Sequence, residues 1–188
     1  MSIRPELEAE IVQLYSDHAA NLKRHAAGIV RCDDLAGDAV QETFMRYFAE
    51  RSYGRAIDHP RAWLYQVLRH YLFDRMAGNP AAEPRGDSLE GIADPGSDPE
   101  ARVRHSEMAG VIAASLSIRE RECLGLRSEG FSYLEIAGIM GLKIGTVGAL
   151  LVRAHNKIRS AARQSNEGET HLAGAIHQLL RSPRESQP

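Results

Sequence analysis

The chain has 188 residues, 43% of them hydrophobic, and a formal net charge of -2 at pH 7. That is room for one large domain or two small ones with real cores, and it excludes a uniformly basic nucleic-acid binder. Two distant cysteines, Cys32 and Cys123, exclude a disulfide framework and a zinc site, and no apolar run approaches membrane length, so a soluble protein of the reducing cytoplasm, with no membrane insertion, is expected.

Charge is segregated along the chain. Residues 1–77 hold 10 Lys/Arg and 11 Asp/Glu, residues 78–100 hold 1 and 6, and residues 101–166 hold 10 and 5. From Pro5 to Ile29, Leu7, Ile11, Leu14, Tyr15, His18, Leu22, Ala26 and Ile29 recur at helical spacing, with Glu6, Glu8 and Glu10 in the first turns where they suit the helix dipole. After a break at Cys32-Asp33-Asp34 the spacing predicts a second helix from Leu35 to about Arg51. Its inner stripe is Val40, Phe44, Tyr47 and Phe48, and Asp38, Gln41, Glu42 and Arg46 lie on other faces. Tyr53-Gly54 and Asp58-His59-Pro60 punctuate a loop, with Pro60 suited to a first helical turn.

The third helix, RAWLYQVLRHYLFDRMA, is apolar nearly all round, so it is either buried on both sides or uses its outer aromatics. Eight of the 11 aromatics fall between Phe44 and Phe73, interleaved with arginines. That mixture suits stacking on unpaired bases, worth roughly 1–3 kcal/mol per base; an aromatic core is the plainer reading, and the better one for Phe44, Phe48 and Leu64. Between Gly78 and Glu100 four prolines, four glycines and six carboxylates erase any periodic pattern, which reads as a flexible acidic linker. Helical spacing returns from Ala101 through Leu116 and again from Ile118 to Arg127.

The stretch from Glu129 to Arg163 reads as a helix-turn-helix. Tyr133, Ile136, Ala137 and Met140 form one short helix, Gly141 supplies a left-handed turn, and Ile144, Val147, Leu151, Ala154 and Ile158 form the next. Lys143, Arg153, Lys157, Arg159 and Arg163 follow with no carboxylate between Glu135 and Glu167, a face that attracts a phosphate backbone. An antiparallel helix pair with a solvated basic face would give the same pattern. Beyond Ser165, HLAGAIHQLLR is weakly amphipathic, either a docking helix or a tail. The fold class expected is therefore all-α, two small helical domains joined by a flexible acidic linker, the second ending in a helix-turn-helix.

SLSIRERECLGLRSEGFSYLEIAGIMGLKIGTVGALLVRA resembles the promoter-reading domain of bacterial RNA polymerase sigma factors. DDLAGDAVQETFMRYF followed by HPRAWLYQVLRHYLFDR resembles their core-binding and promoter-melting domain. Two such domains with a short linker are similar to the extracytoplasmic-function class of the sigma-70 family. The resemblance implies a region 2-like domain over residues 1–77, a linker over 78–100, a region 4-like domain over 101–166 and a tail over 167–188. It implies three partners: core RNA polymerase, promoter DNA and an anti-sigma factor.

By resemblance Asp38, Gln41, Glu42, Phe44 and Arg46 face the coiled coil of the largest polymerase subunit. Arg61, Trp63, Arg69 and His70 capture the open strand of the minus-ten element, and the loop from Arg51 to His59 holds a flipped base. The last long helix reads the minus-thirty-five element, with Lys143 and Thr146 near its start, Ala149 or Val152 against thymine methyls, and Arg153, Lys157 and Arg159 on phosphates. Gly148, Ala149 and Leu150 depart from the family's basic, small polar and arginine residues there, which removes bidentate arginine-to-guanine readout and predicts weaker base discrimination. Ser117 stands where proline is common and Ala77 where arginine is.

No nucleophile-base pair, phosphate loop or metal cluster suggests an enzyme or a cofactor. Two other readings stay open: a helix-turn-helix regulator whose first domain senses a ligand, and a sigma-like decoy without promoter reading.

Overall fold

The computed structural model describes residues 5–30, 32–78 and 114–164. Among them there are six helices and no strand: α1 (Pro5–Val30), α2 (Asp33–Ser52), α3 (Pro60–Gly78), α4 (Ile118–Ser128), α5 (Tyr133–Met140) and α6 (Ile144–Gln164). The chain divides into two compact units, Met1–Asp87 and Ser88–Pro188. Most of the expected linker, most of the expected helix over 101–116 and the amphipathic stretch near the end lie outside the described residues.

In the first unit α1 packs chiefly on α2, and α3 closes a three-helix arrangement. Its core joins Leu22, Ala26 and Ile29 of α1, Ala36, Ala39, Val40, Phe44 and Tyr47 of α2, and Leu64, Tyr65, Leu68 and Leu72 of α3. The apolar stripe of α1 is narrower than its spacing implies: Ile11 and Leu14 are half-buried and Tyr15 is 54% exposed. The expected break before α2 is in fact its start. Cys32 occupies the N-cap without a side-chain hydrogen bond, and Asp33 and Asp34 lie in the first turn, where the dipole favours carboxylates. Lys23 of α1 reaches Asp33 at 2.7 Å.

The second unit is built on α6, against which both α4 and α5 pack. Two capping boxes define the helix starts. Ser117 and Glu120 cap α4, and Ser132 and Glu135 cap α5, each serine accepting from the backbone N–H three residues on while the glutamate accepts from the serine N–H. Such a cap stabilises by about 1 kcal/mol. Gly141 ends α5 at φ 64°, in the left-handed conformation expected of it. The chain then turns by 101° into α6, whose inner stripe of Val147, Leu150, Leu151, Ala154 and Ile158 is buried. Among the described residues no single helix is long and apolar enough to cross a membrane.

Candidate polymerase and nucleic-acid interfaces

On α2 the buried positions fall on one side, which turns Asp38, Gln41 and Met45 outward along a single stripe. Met45 is 60% exposed and is the apolar group of that face. Phe44, expected there by resemblance, is instead buried against Tyr15 of α1 with ring centroids 5.0 Å apart. Its burial agrees with the inner stripe read from spacing, and its neighbour Met45 is the residue turned outward. Arg46 lies at the edge of that stripe, on its α3 side. Its Nε donates to Glu42 Oε1 at 2.8 Å, and its guanidinium sits 5.8 Å from the Tyr71 ring of α3, which Arg75 approaches at 5.6 Å.

On α3 only Leu64, Tyr65, Leu68 and Leu72 are buried, so the apolar circumference resolves into a core stripe and an aromatic margin. Trp63 is half-buried and meets Tyr47 edge-on at 5.5 Å. His70 is exposed and shares the seven-residue stripe of Trp63, with exposed Gln66 between them. Arg69 lies over the Phe73 ring at 4.6 Å, a cation–π pair on the adjacent flank. Arg61 is half-buried in the first turn. The structure thus brings Trp63 and His70 onto one face, sets Arg69 beside it, and leaves Arg61 nearer the core.

A hydrogen-bonded cluster stands behind this face. The Glu10 carboxylate of α1 accepts from Arg51 at 3.0 Å and 2.9 Å, through both oxygens, and from the Tyr47 hydroxyl at 2.6 Å. Hydrogen bonds from Arg51 and then Tyr47 hold the Glu10 carboxyl below its ordinary range, and burial, with Glu10 beside it, pushes the Tyr47 hydroxyl well up. Arg51 also donates to the Arg55 carbonyl in the following loop at 3.1 Å. In the same unit burial pulls His25 down to about 4, so it is neutral at pH 7, with its ring edge-on to Tyr65 at 5.2 Å.

On α6 the outer face carries Ala149, Val152, Arg153 and Asn156, all exposed, with Arg159 beside them and Thr146 at the flank. Lys143, just before the helix, is exposed. Asn156 had no signal in the sequence beyond its helical phase, yet it is the outward amide among cationic neighbours. Leu150, where the family's arginine would stand, is 5% exposed and belongs to the core. Lys157 is committed elsewhere: its ammonium donates to Glu120 Oε2 at 2.7 Å, tying α6 to the start of α4. Burial pushes the Glu120 carboxyl up, but Lys157 and the Ser117 N–H and hydroxyl outweigh it and hold the group below its ordinary range. Ser117 donates that N–H at 2.8 Å, a bond proline could not make, which gives the departure at this position a physical role. Cys123 packs as an apolar group; burial, with Glu122 beside it, pushes its thiol up to about 12. Among the described residues no group of three His, Cys, Asp or Glu side chains could hold a metal ion.

These two faces correspond to two known domains. Residues 14–79 match the model of Sigma-70 region 2, and residues 110–158 match Sigma-70, region 4. Together the two stretches cover more than half of the chain. The chain belongs to the sigma-70 family. Its pairing of regions 2 and 4 is the domain content of the extracytoplasmic-function class. As a sigma factor it binds core RNA polymerase and promoter DNA and directs transcription initiation. Sigma factors are initiation factors and not enzymes. A solved structure with the same fold is the sigma factor RpoE from Bartonella quintana, crystallised with the anti-sigma factor NepR. It is 24% identical, with a TM-score of 0.63, covering 85% of this chain and 98% of that one. No curated protein matches the chain in sequence.

Proposed function

We propose a division of labour among the segments of this sigma factor. Residues 1–77 bind core polymerase and melt the promoter, residues 78–100 tether, residues 101–166 read duplex DNA, and residues 167–188 are a tail. Asp38, Gln41 and Glu42 around exposed Met45 form the polymerase face, an apolar anchor within a polar rim. Arg46 contributes by bracing α2 on α3. Trp63 and His70, flanked by Arg69 and Phe73 and with Arg61 at the first turn, take the unpaired minus-ten strand. Melting costs roughly 1–2 kcal/mol of stacking per step, offset by holding the open strand, with no catalytic step by this chain.

The recognition helix α6 enters the major groove at the minus-thirty-five element. Lys143 and Thr146 sit at its start, Ala149, Val152 and Asn156 face the bases, and Arg153 and Arg159 hold phosphates. Lys157 serves mainly to neutralise Glu120. With Leu150 in the core, readout leans on backbone contacts and DNA shape. The protein works in the cytoplasm, where an anti-sigma factor, as NepR is to RpoE of Bartonella quintana, is a third partner.

One observation carries the reading: the family's two regions match in order, and each matched stretch exposes the chemistry its region needs. The test is transcription by purified core polymerase with this protein on fragmented genomic DNA from its source. Discrete start sites that require the protein, lost in Trp63→Ala while core binding persists and lost together with core binding in Gln41→Ala, are the expected result. Core binding with no start site would mark a decoy, and absence of core binding would leave a ligand-responsive regulator.

A further inference from the structure

Glu10 of α1 stands against the end of α2, beside the loop 53–59. Its two oxygens take the Arg51 fork at 3.0 Å and 2.9 Å, and one of them also takes the Tyr47 hydroxyl at 2.6 Å. From there two routes lead to the DNA face. Arg51 passes a third N–H to the Arg55 carbonyl, holding the first residues of the loop as they leave α2. Tyr47, fully buried, presents its ring edge-on to Trp63 at 5.5 Å. A two-pronged fork restricts angle as well as distance, and a half-exposed ion pair of this kind adds little stability, so the cluster contributes chiefly geometry.

We propose that Glu10 is a positioning residue for open-strand capture, orienting the Trp63 indole through Tyr47 and the loop 53–59 through Arg51. This rests on the assignment of Trp63 to the melted strand. Nothing in the helical pattern of α1 marks Glu10, which in sequence is one of three acidic residues in the first turns, suited to the helix dipole.

The experiment assembles holoenzyme from core polymerase and the full chain on a start site located by genomic transcription. It measures permanganate reactivity of unpaired thymines beside core-binding affinity. Glu10→Gln, whose amide replaces one acceptor oxygen by a donor, is expected to lower open complexes by about tenfold while core affinity stays within about twofold. In a Trp63→Ala background, read on the residual permanganate signal, the same change is expected to cost less, because one of the two groups it positions is gone and only the loop route through Arg51 remains. Unchanged opening in Glu10→Gln, an equal cost in both backgrounds, or a parallel fall in core affinity would each overturn the positioning role. Trp63→Ala with normal opening would instead overturn the assignment on which the proposal rests.

Discussion

In the first unit the groups nearest the expected DNA strand are also packing groups. Trp63 rests on Tyr47, Arg69 on Phe73, and Arg46 on Tyr71, so each aromatic or guanidinium has one side in the fold and one toward solvent. In the second unit the outer face of α6 is separable from its core: Ala149, Val152, Arg153 and Asn156 are exposed while Val147, Leu151 and Ala154 are buried on the opposite side. On the proposed roles, the difference follows from what each face must do. Holding an unpaired base requires a rigid aromatic wall, and rigidity comes from packing. A helix entering a groove needs only a stable axis and an outward stripe. Lys157 is the exception, an outward cation of α6 tied to the α4 cap.

Breaking the α6 axis should have the largest effect. Leu151 is 1% exposed at the centre of the second unit, and Leu151→Ala should cost about 2–5 kcal/mol by chemical denaturation and abolish promoter-directed transcription. Stability equal to wild type would show that the inner and outer faces are not divided as described.

The first unit should respond to acid through His25. Its folded-state value is about 4 against an ordinary 6.5, so the unfolded chain binds the proton more readily. The contribution is fully present above pH 6.5 and is lost as pH falls toward 4, on the order of 3 kcal/mol across that window. Denaturation midpoints measured from pH 7 to 4 should fall in the wild type and flatten in His25→Gln.

A smaller change sharpens the role of the second unit's caps. Ser117→Ala removes the hydroxyl from one capping box and should cost about 1 kcal/mol in thermal denaturation. Smallest in stability should be Arg153→Ala, within about 0.5 kcal/mol because the side chain lies on the outer face. Its readout is binding to DNA, where the slope of log affinity against log salt should fall by about 1 for every sequence tested. A sequence-dependent loss would make Arg153 a base reader instead of a phosphate contact.

The helices themselves were legible from local chemistry. Apolar spacing set the core stripes of α2 and α6, and Gly141 marked the turn, because period and left-handed backbone are properties of a few neighbouring residues. Two motif blocks in order point to the family without reference to packing. The helical phase was less secure near the edges of the stripes: Tyr15 and Phe44 share similar spacing arguments, yet one is half in solvent and the other is covered by it. At a stripe's edge, burial is decided by the partner helix and not by the residue's own period.

What only tertiary structure decided is which polar groups are free to act. Glu10 meets Tyr47 and Arg51 across some forty positions, and Lys157 meets Glu120 across a similar distance; no local pattern joins residues so far apart. Hydrogen bonds of this kind depend on where two helices cross, whereas the hydrophobic period and the turn chemistry are written in adjacent side chains. The sequence therefore determined the elements, their order and the family. The fold decided that Phe44 is covered by Tyr15, that Lys157 is held by Glu120, and that Trp63 is braced from behind by Tyr47.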